Sequence, residues 1–313
     1  MPTVVIPDDE PAVVSLSQAY STLVKRTDVR TFVSRPQTEA DLLERIHDAE
    51  YVINVRARTL FTASVLKQCR KLKLISIWGT GTDNVDLIAA RELKIRVTNT
   101  PGVSAIAVAE HTLTLLLAVA RQIPQVDQQV RSGSWPRAMV QQVYGKTLGI
   151  IGMGAIGRQM ARLGKGIGCR VIAWSFNPRQ DEPVEFVSLD EIYRQSDFIS
   201  VHVRQSPETL GLIGYKQFEM MKPTAIVINT ARGAIINERE LIEALQRGRI
   251  AGAGLDVFEK EPPGSRSALF NLPNVVLTPH SAGVTPETTE AGIALAIDNI
   301  LQFTSGTPQN VVV

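Results

Sequence analysis

The feature that most constrains the fold is a short run of glycines. An apolar, strand-like segment, Leu148–Ile151, leads directly into Gly152-Met-Gly154-Ala-Ile-Gly157, and an amphipathic helical pattern, Ile156–Leu163, follows. Each glycine has a mechanical reason. Gly152 permits a tight turn, Gly154 lets the backbone approach a diphosphate, and Gly157 lets the helix lie close on the strand. The start of the helix, at Ala155 and Ile156, offers unpaired N–H groups and the positive end of the helix dipole to phosphates. Strand, turn, helix and a second strand, Arg170–Trp174, stand in the order a dinucleotide site requires. Two other glycine runs do not qualify. Gly79-Thr-Gly81 follows a strand but lacks the third glycine, and Gly164-Lys-Gly166-Ile-Gly168 reads as a helix C-terminal turn.

The rest of the chain repeats the alternation. Strands are expected at Val4–Ile6, Tyr51–Asn54, Leu74–Trp78, Phe198–Val203, Ala225–Asn229, Gly252–Val257 and Val275–Leu277. Helical patterns lie at Leu189–Gln195 and Glu238–Gln246, with longer ones at Ser104–Arg121 and Thr285–Phe303. Strand–helix alternation predicts an α/β fold of parallel sheets with helices on both faces. The polar stretch Gln122 to Gly145 reads as a linking arm. A length of 313 residues suits two domains.

Several function classes are excluded. The net charge is only +2 and the basic residues are interleaved with acids, so nucleic-acid binding is not indicated. Cys69 and Cys169 match no metal-ligand spacing and are too few for a disulfide framework, so no metal is expected. The N-terminus lacks the basic start and apolar core of a signal peptide, and the apolar stretch Leu113–Ala120 is far short of a membrane span. The cytoplasm is the expected location.

Three further stretches carry chemistry. They are Asn229-Thr-Ala-Arg232-Gly233, Gly254-Leu-Asp256-Val-Phe-Glu259-Lys-Glu261-Pro262-Pro263, and Leu277-Thr-Pro279-His280. Each begins at the carboxyl end of an expected strand, the edge where open α/β sheets bind ligands. Arg232 can hold a carboxylate with a bidentate fork. A histidine such as His280 can exchange a proton near neutral pH, and Glu261 beside it can fix its tautomer. These are the residue types a 2-hydroxy-acid site needs. His202, at a strand end, reads as a packing or cofactor-lining residue. His111 reads as an interhelical histidine, and Glu110 as structural.

As a set, these motifs resemble the D-isomer-specific 2-hydroxyacid dehydrogenases, which include glyoxylate/hydroxypyruvate reductases, phosphoglycerate dehydrogenases and formate dehydrogenase. The resemblance runs from Ile53 to Asn310. It also takes in Gly79-Thr-Gly81-Thr-Asp83-Asn84-Val-Asp86, Asn99-Thr-Pro-Gly102 and Val108-Ala-Glu110-His111. It implies two Rossmann-like domains, with a dinucleotide-binding domain of about residues 101–281 inserted into a discontinuous substrate domain of about 1–100 and 282–313. The active site would lie in the cleft. Arg232 would hold the substrate carboxylate and polarise the keto oxygen, His280 would donate the proton, and Glu261 would hydrogen-bond His280. Thr80 and Gly81 would offer backbone N–H groups to the carboxylate. Asp256 would face the nicotinamide carboxamide, or serve as a cap or turn residue. Val203, Thr230 and Ala231 would line the cofactor, and the 104–145 region would form a homodimer.

The cofactor is expected to be NAD or NADP, with a lean to NADP. Ser175 stands where NAD-preferring members carry an acid, and Arg179 could pair with a 2′-phosphate or be a plain loop arginine. Arg56 and Arg58 could meet a substrate's second anionic group or lie on the surface. Two other activities stand as alternatives to a 2-keto acid reductase: a corepressor-like NAD(H)-responsive binding protein, and a formate- or phosphite-type dehydrogenase.

Overall fold

The computed structural model describes residues 1–55, 59–137, 139–179 and 182–313. They form two compact units, Met1–Ser104 with Val284–Val313, and Ala105–Gly283.

The first unit begins with β1 (Thr3–Ile6), α1 (Tyr20–Val24), β2 (Asp28–Thr31), α2 (Glu39–Ile46) and β3 (Tyr51–Val55). It continues through α3 (Ala63–Gln68), β4 (Leu74–Trp78), α4 (Leu87–Glu92) and β5 (Arg96–Thr98), and a last helix, Pro286–Thr304, completes it. The strands pair in parallel in the order β2-β1-β3-β4-β5. Every residue of β3 and β4 is buried, as expected for strands covered on both faces. Local signals start the helices where the sequence bends. Thr38 and Asp41 make a reciprocal capping box on α2, and Asp86 caps α4.

The second unit holds α5 (Ala105–Ala120), α6 (Ile123–Arg131), β6 (Thr147–Ile151), α7 (Ala155–Gly166), β7 (Arg170–Trp174) and β8 (Glu185–Phe186). After these come α8 (Leu189–Gln195), β9 (Phe198–Val201), α9 (Tyr215–Met220), β10 (Ile226–Asn229), α10 (Glu238–Gln246), β11 (Gly252–Leu255) and β12 (Val275–Leu277). The Pro286–Thr304 helix is α11. Seven parallel strands run β12-β11-β10-β9-β6-β7-β8. One face is covered by α5 and α7 through Leu115, Leu116, Val119, Met160 and Ala161. The other is covered by α8, α9 and α10 through Ile192, Tyr193, Phe218, Leu241 and Leu245. Each such aliphatic or aromatic side chain contributes about 1.5–3 kcal/mol when fully buried.

The chain leaves β6 toward β7 on one side and returns to β9 on the other. That reversal opens a crevice at the carboxyl ends, the ligand site of doubly wound sheets. Two strands end earlier than the sequence suggests: Phe198–Val203 stops pairing at Val201, and Gly252–Val257 at Leu255. The freed residues, His202 with Val203 and Asp256 with Val257, become part of the crevice loops.

The sequence pattern did not reveal β2, β5, β8 or α6. The first three are short and partly exposed at sheet margins. Helix α6 lies in the stretch read as a linking arm. It has no buried residue, so it offers no core-facing stripe, and Gln122 separates it from α5 by a left-handed φ of +52°. Among the described residues no single helix is long and apolar enough to cross a membrane.

Candidate active site

The glycine turn after β6 is built by close approach. Gly152 has φ +103°, and a Cβ there would lie 2.7 Å from the His202 backbone carbon. A Cβ on Gly157 would lie 2.0 Å from Gly152 O. Gly154 differs: a Cβ there would meet nothing within 4 Å. It is the N-cap of α7, and no side chain caps that end. Ala155 is exposed and Ile156 half-buried at the helix start. Backbone N–H groups at an uncapped helix N-terminus, beside open space that a Cβ would intrude on, fit a dinucleotide diphosphate.

Arg158, for which the glycine motif gives no signal, braces this turn. Its guanidinium donates to Met153 O at 3.0 Å and pairs with Glu182 at 3.3 Å. It thereby ties the glycine turn to the loop after β7. Ser175 is half-buried in that loop and Arg179 is exposed. Beside Ser175, Phe176 packs edge-on against Trp174 with centroids 4.8 Å apart. Asp181 lies outside the described residues, as do Arg56 and Arg58.

The loops after β10, β11 and β12 bring the expected acid–base residues into one unit. His280 Nδ1 lies 2.7 Å from Glu261 Oε2, and Glu261 Oε1 accepts the Phe258 N–H at 3.1 Å. With Nδ1 directed at a carboxylate, it is Nε2 that can serve a substrate. Burial pushes the Glu261 carboxyl up. The hydrogen bond from His280, the charges of His280 and Arg232 and the Phe258 amide outweigh it, and the group ends below the usual carboxylate range. Arg232 heads a 3₁₀ turn, Gly233–Ile235, and one guanidinium nitrogen donates to Ala231 O at 2.8 Å. Gly233 is required beneath it, because a Cβ would fall 1.9 Å from the Phe258 carbonyl carbon.

His280 has a left-handed backbone, φ +53°. Such strain in a non-glycine residue costs on the order of 1–3 kcal/mol and persists only where surroundings impose it. Asp256 imposes it. Expected opposite the nicotinamide carboxamide, this residue is fully buried, and its carboxylate engages its own chain. Oδ1 takes the Ser281 N–H and the Thr278 hydroxyl, and Oδ2 takes the Ala282 N–H. A cap or turn role for Asp256 was one of the two expected from the sequence; its partner Thr278 was not, because the two meet only through the parallel pairing of β11 with β12.

The remaining site residues divide by position. Val203 is buried after β9, Ala231 is half-buried, and Thr230 bonds Thr112 of α5 at 2.8 Å. Burial alone pushes the His202 imidazole down to about 3, and its Nε2 bonds Ser200 Oγ at 2.7 Å. A ring so reluctant to charge is no proton donor at neutral pH. Thr80 and Gly81 belong to the first unit, in the loop after β4, where Asn99 Nδ2 donates to Thr80 O at 2.9 Å.

Residues 113–282 match the NAD binding domain of the D-isomer specific 2-hydroxyacid dehydrogenases. The chain belongs to this family. It is an oxidoreductase that moves hydride between a nicotinamide dinucleotide, NAD or NADP, and a 2-hydroxy or 2-keto acid. It is 42% identical over 289 residues to a glyoxylate reductase of Thermococcus litoralis, covering 87% of this chain and 86% of that one. It is 41% identical over 276 residues to a D-3-phosphoglycerate dehydrogenase of Methanocaldococcus jannaschii, covering 86% of this chain but 52% of that one, so it spans about half of that relative. An acyclic imino acid reductase solved with NADPH and D-Arg superposes with a TM-score of 0.92 at 30% identity, over 99% of this chain and 100% of that one.

The depressed Glu261 carboxyl makes a direct prediction for this dehydrogenase. Titrated by carboxyl ¹³C NMR, Glu261 should show a midpoint below 4.5, its ordinary value. The pair with His280 should therefore survive as pH falls toward that value and be lost only below it. In His280→Ala the midpoint should rise, because the principal lowering contact is gone. A wild-type midpoint at or above 4.5 would contradict the arrangement.

Proposed function

We propose that this enzyme reduces small 2-keto acids of the glyoxylate and hydroxypyruvate kind, with Arg232, Glu261 and His280 as its catalytic residues. The observation that carries the reading is the 2.7 Å His280–Glu261 pair in the same set of loops as Arg232. The glyoxylate reductases among its relatives support the substrate class.

A dinucleotide held there would supply hydride to the carbonyl carbon. Arg232 holds the substrate carboxylate and polarises the keto oxygen. His280 delivers the proton from Nε2 to that oxygen while Nδ1 stays bonded to Glu261, whose negative charge stabilises the imidazolium before transfer. In the reverse direction Nε2 takes the alcohol proton. Gly152, Gly154, Ala155, Ile156 and Gly157 would hold the diphosphate, and Val203, Thr230 and Ala231 would line the nicotinamide.

Purified protein should oxidise NADH or NADPH with glyoxylate or hydroxypyruvate. His280→Ala should lower kcat by roughly 10²–10⁴-fold, the usual scale for a general acid, with little change in cofactor affinity. Unaltered kcat in that variant would overturn the role of His280.

For the cofactor, the reading leans to NADPH. Ser175 does not repel a 2′-phosphate, and Arg179 is exposed in the same loop. A charge-assisted contact contributes about 1.5–3 kcal/mol, a preference of roughly tenfold or more. Ser175→Asp and Arg179→Ala should each shift kcat/KM toward NADH. A strong wild-type preference for NADH, unmoved in Arg179→Ala, would refute the lean.

The 104–145 region carries exposed Ile106, Leu117, Ile123, Val130, Trp135 and Met139, and forms the homodimer in this reading. Light scattering should give twice the mass of one chain, and Trp135→Glu with Ile123→Glu should shift it to monomer. A monomeric wild type at micromolar concentration would exclude the dimer.

A further inference from the structure

The turn that carries His280 is tied to helix α5 through a buried carboxylate. Asp256 grips that turn by main chain and side chain together. Its carbonyl accepts the His280 N–H at 2.7 Å, and its two carboxylate oxygens accept the Ser281 and Ala282 N–H groups, each at 2.9 Å. Thr278 adds its hydroxyl, 2.6 Å from Oδ1. A hydroxyl has one proton. With that proton directed at Asp256, the Thr278 oxygen can only accept from His111 Nε2, 2.9 Å away on α5. The network therefore assigns the hydrogen of His111 to Nε2. The same ring nitrogen lies 3.5 Å from Asp256 Oδ1, so its N–H also faces the buried negative charge.

We propose that His111 and Thr278 are positioning residues for proton transfer, acting through Asp256 on the backbone of His280. The proposal rests on the reading of His280 as proton donor. Asp256 has no exposed surface, so only groups of the chain can satisfy its carboxylate. Remove the Thr278 hydroxyl or its His111 partner, and the carboxylate must turn toward other donors. That turn loosens the Ser281 and Ala282 N–H groups and relaxes the left-handed residue between them and Thr278. The Glu261 bond then holds the ring by one end only. Displacement of a reacting group by about 1 Å can cost 10²-fold in rate. Neither residue is assigned to substrate or cofactor, so the defect should fall on kcat and spare binding.

The test compares Thr278→Val, Thr278→Ser, His111→Leu and His111→Gln with His280→Ala. The readouts are kcat, KM for glyoxylate, and NADPH and NADH affinity by protein fluorescence quenching. Thr278→Val and His111→Leu should lose roughly 10- to 100-fold in kcat, with KM and cofactor Kd within about twofold. Thr278→Ser keeps the hydroxyl and His111→Gln keeps an N–H donor, so both should recover most of the rate. Added to His280→Ala, His111→Leu should cause no further loss, because its effect passes through the missing ring. If Thr278→Val does not fold, the half-buried His111 pair decides alone. Wild-type kcat in His111→Leu, or equal loss in His111→Leu and His111→Gln, would overturn the proposal. So would a further loss in the double variant. Wild-type kcat in His280→Ala would instead overturn the donor assignment beneath it.

Discussion

Every strand of the seven-stranded sheet runs in the same direction, and the site follows from that constraint. Parallel strands need a crossover between each pair, so the loops that leave their carboxyl ends all gather at one edge. The glycine turn after β6, the loop of Ser175 after β7, His202 after β9, Arg232 after β10, Asp256 and Glu261 after β11, and His280 after β12 are all such loops. Residues more than a hundred positions apart become neighbours without any long-range signal in their own sequences.

Within this edge two kinds of economy operate. Around the diphosphate cradle, bulk is excluded: a side chain on Gly152 or Gly157 would collide with backbone, whereas Gly154 faces open space. Around His280, polar groups are saturated instead. Glu261 fixes one end of the His280 ring, and Asp256 fixes the backbone beneath it. A strained residue of this kind is maintained by redundancy, since no single hydrogen bond would hold a left-handed histidine. Arg158 extends the same logic to the cofactor end, where one guanidinium joins the glycine turn to the loop after β7.

The histidines show how far environment separates chemically identical side chains. His202, its ring buried, is kept neutral by desolvation. His280 lies beside the Glu261 carboxylate and is partly open. His111 lies between them in character, for its Nε2 ends a chain of hydrogen bonds that reaches the turn of His280.

What the sequence by itself determined is the part written in local pattern. Continuous apolar runs such as Leu74–Trp78 mark strands buried on both faces, and all such runs were legible. The glycine spacing marked the turn after β6, and the stretches with Arg232, Glu261 and His280 were legible as loops that follow strands. Marginal elements were not legible. Strands β2, β5 and β8 are short and partly exposed, and α6 buries nothing, so periodicity has no core to register. Tertiary structure alone decided the partnerships: Arg158 with Glu182, Thr112 with Thr230, and His111 with Thr278 and Asp256. The reason is physical. A hydrogen bond between side chains 167 positions apart, as in His111 and Thr278, exists only once helix α5 packs on the sheet and β11 aligns beside β12.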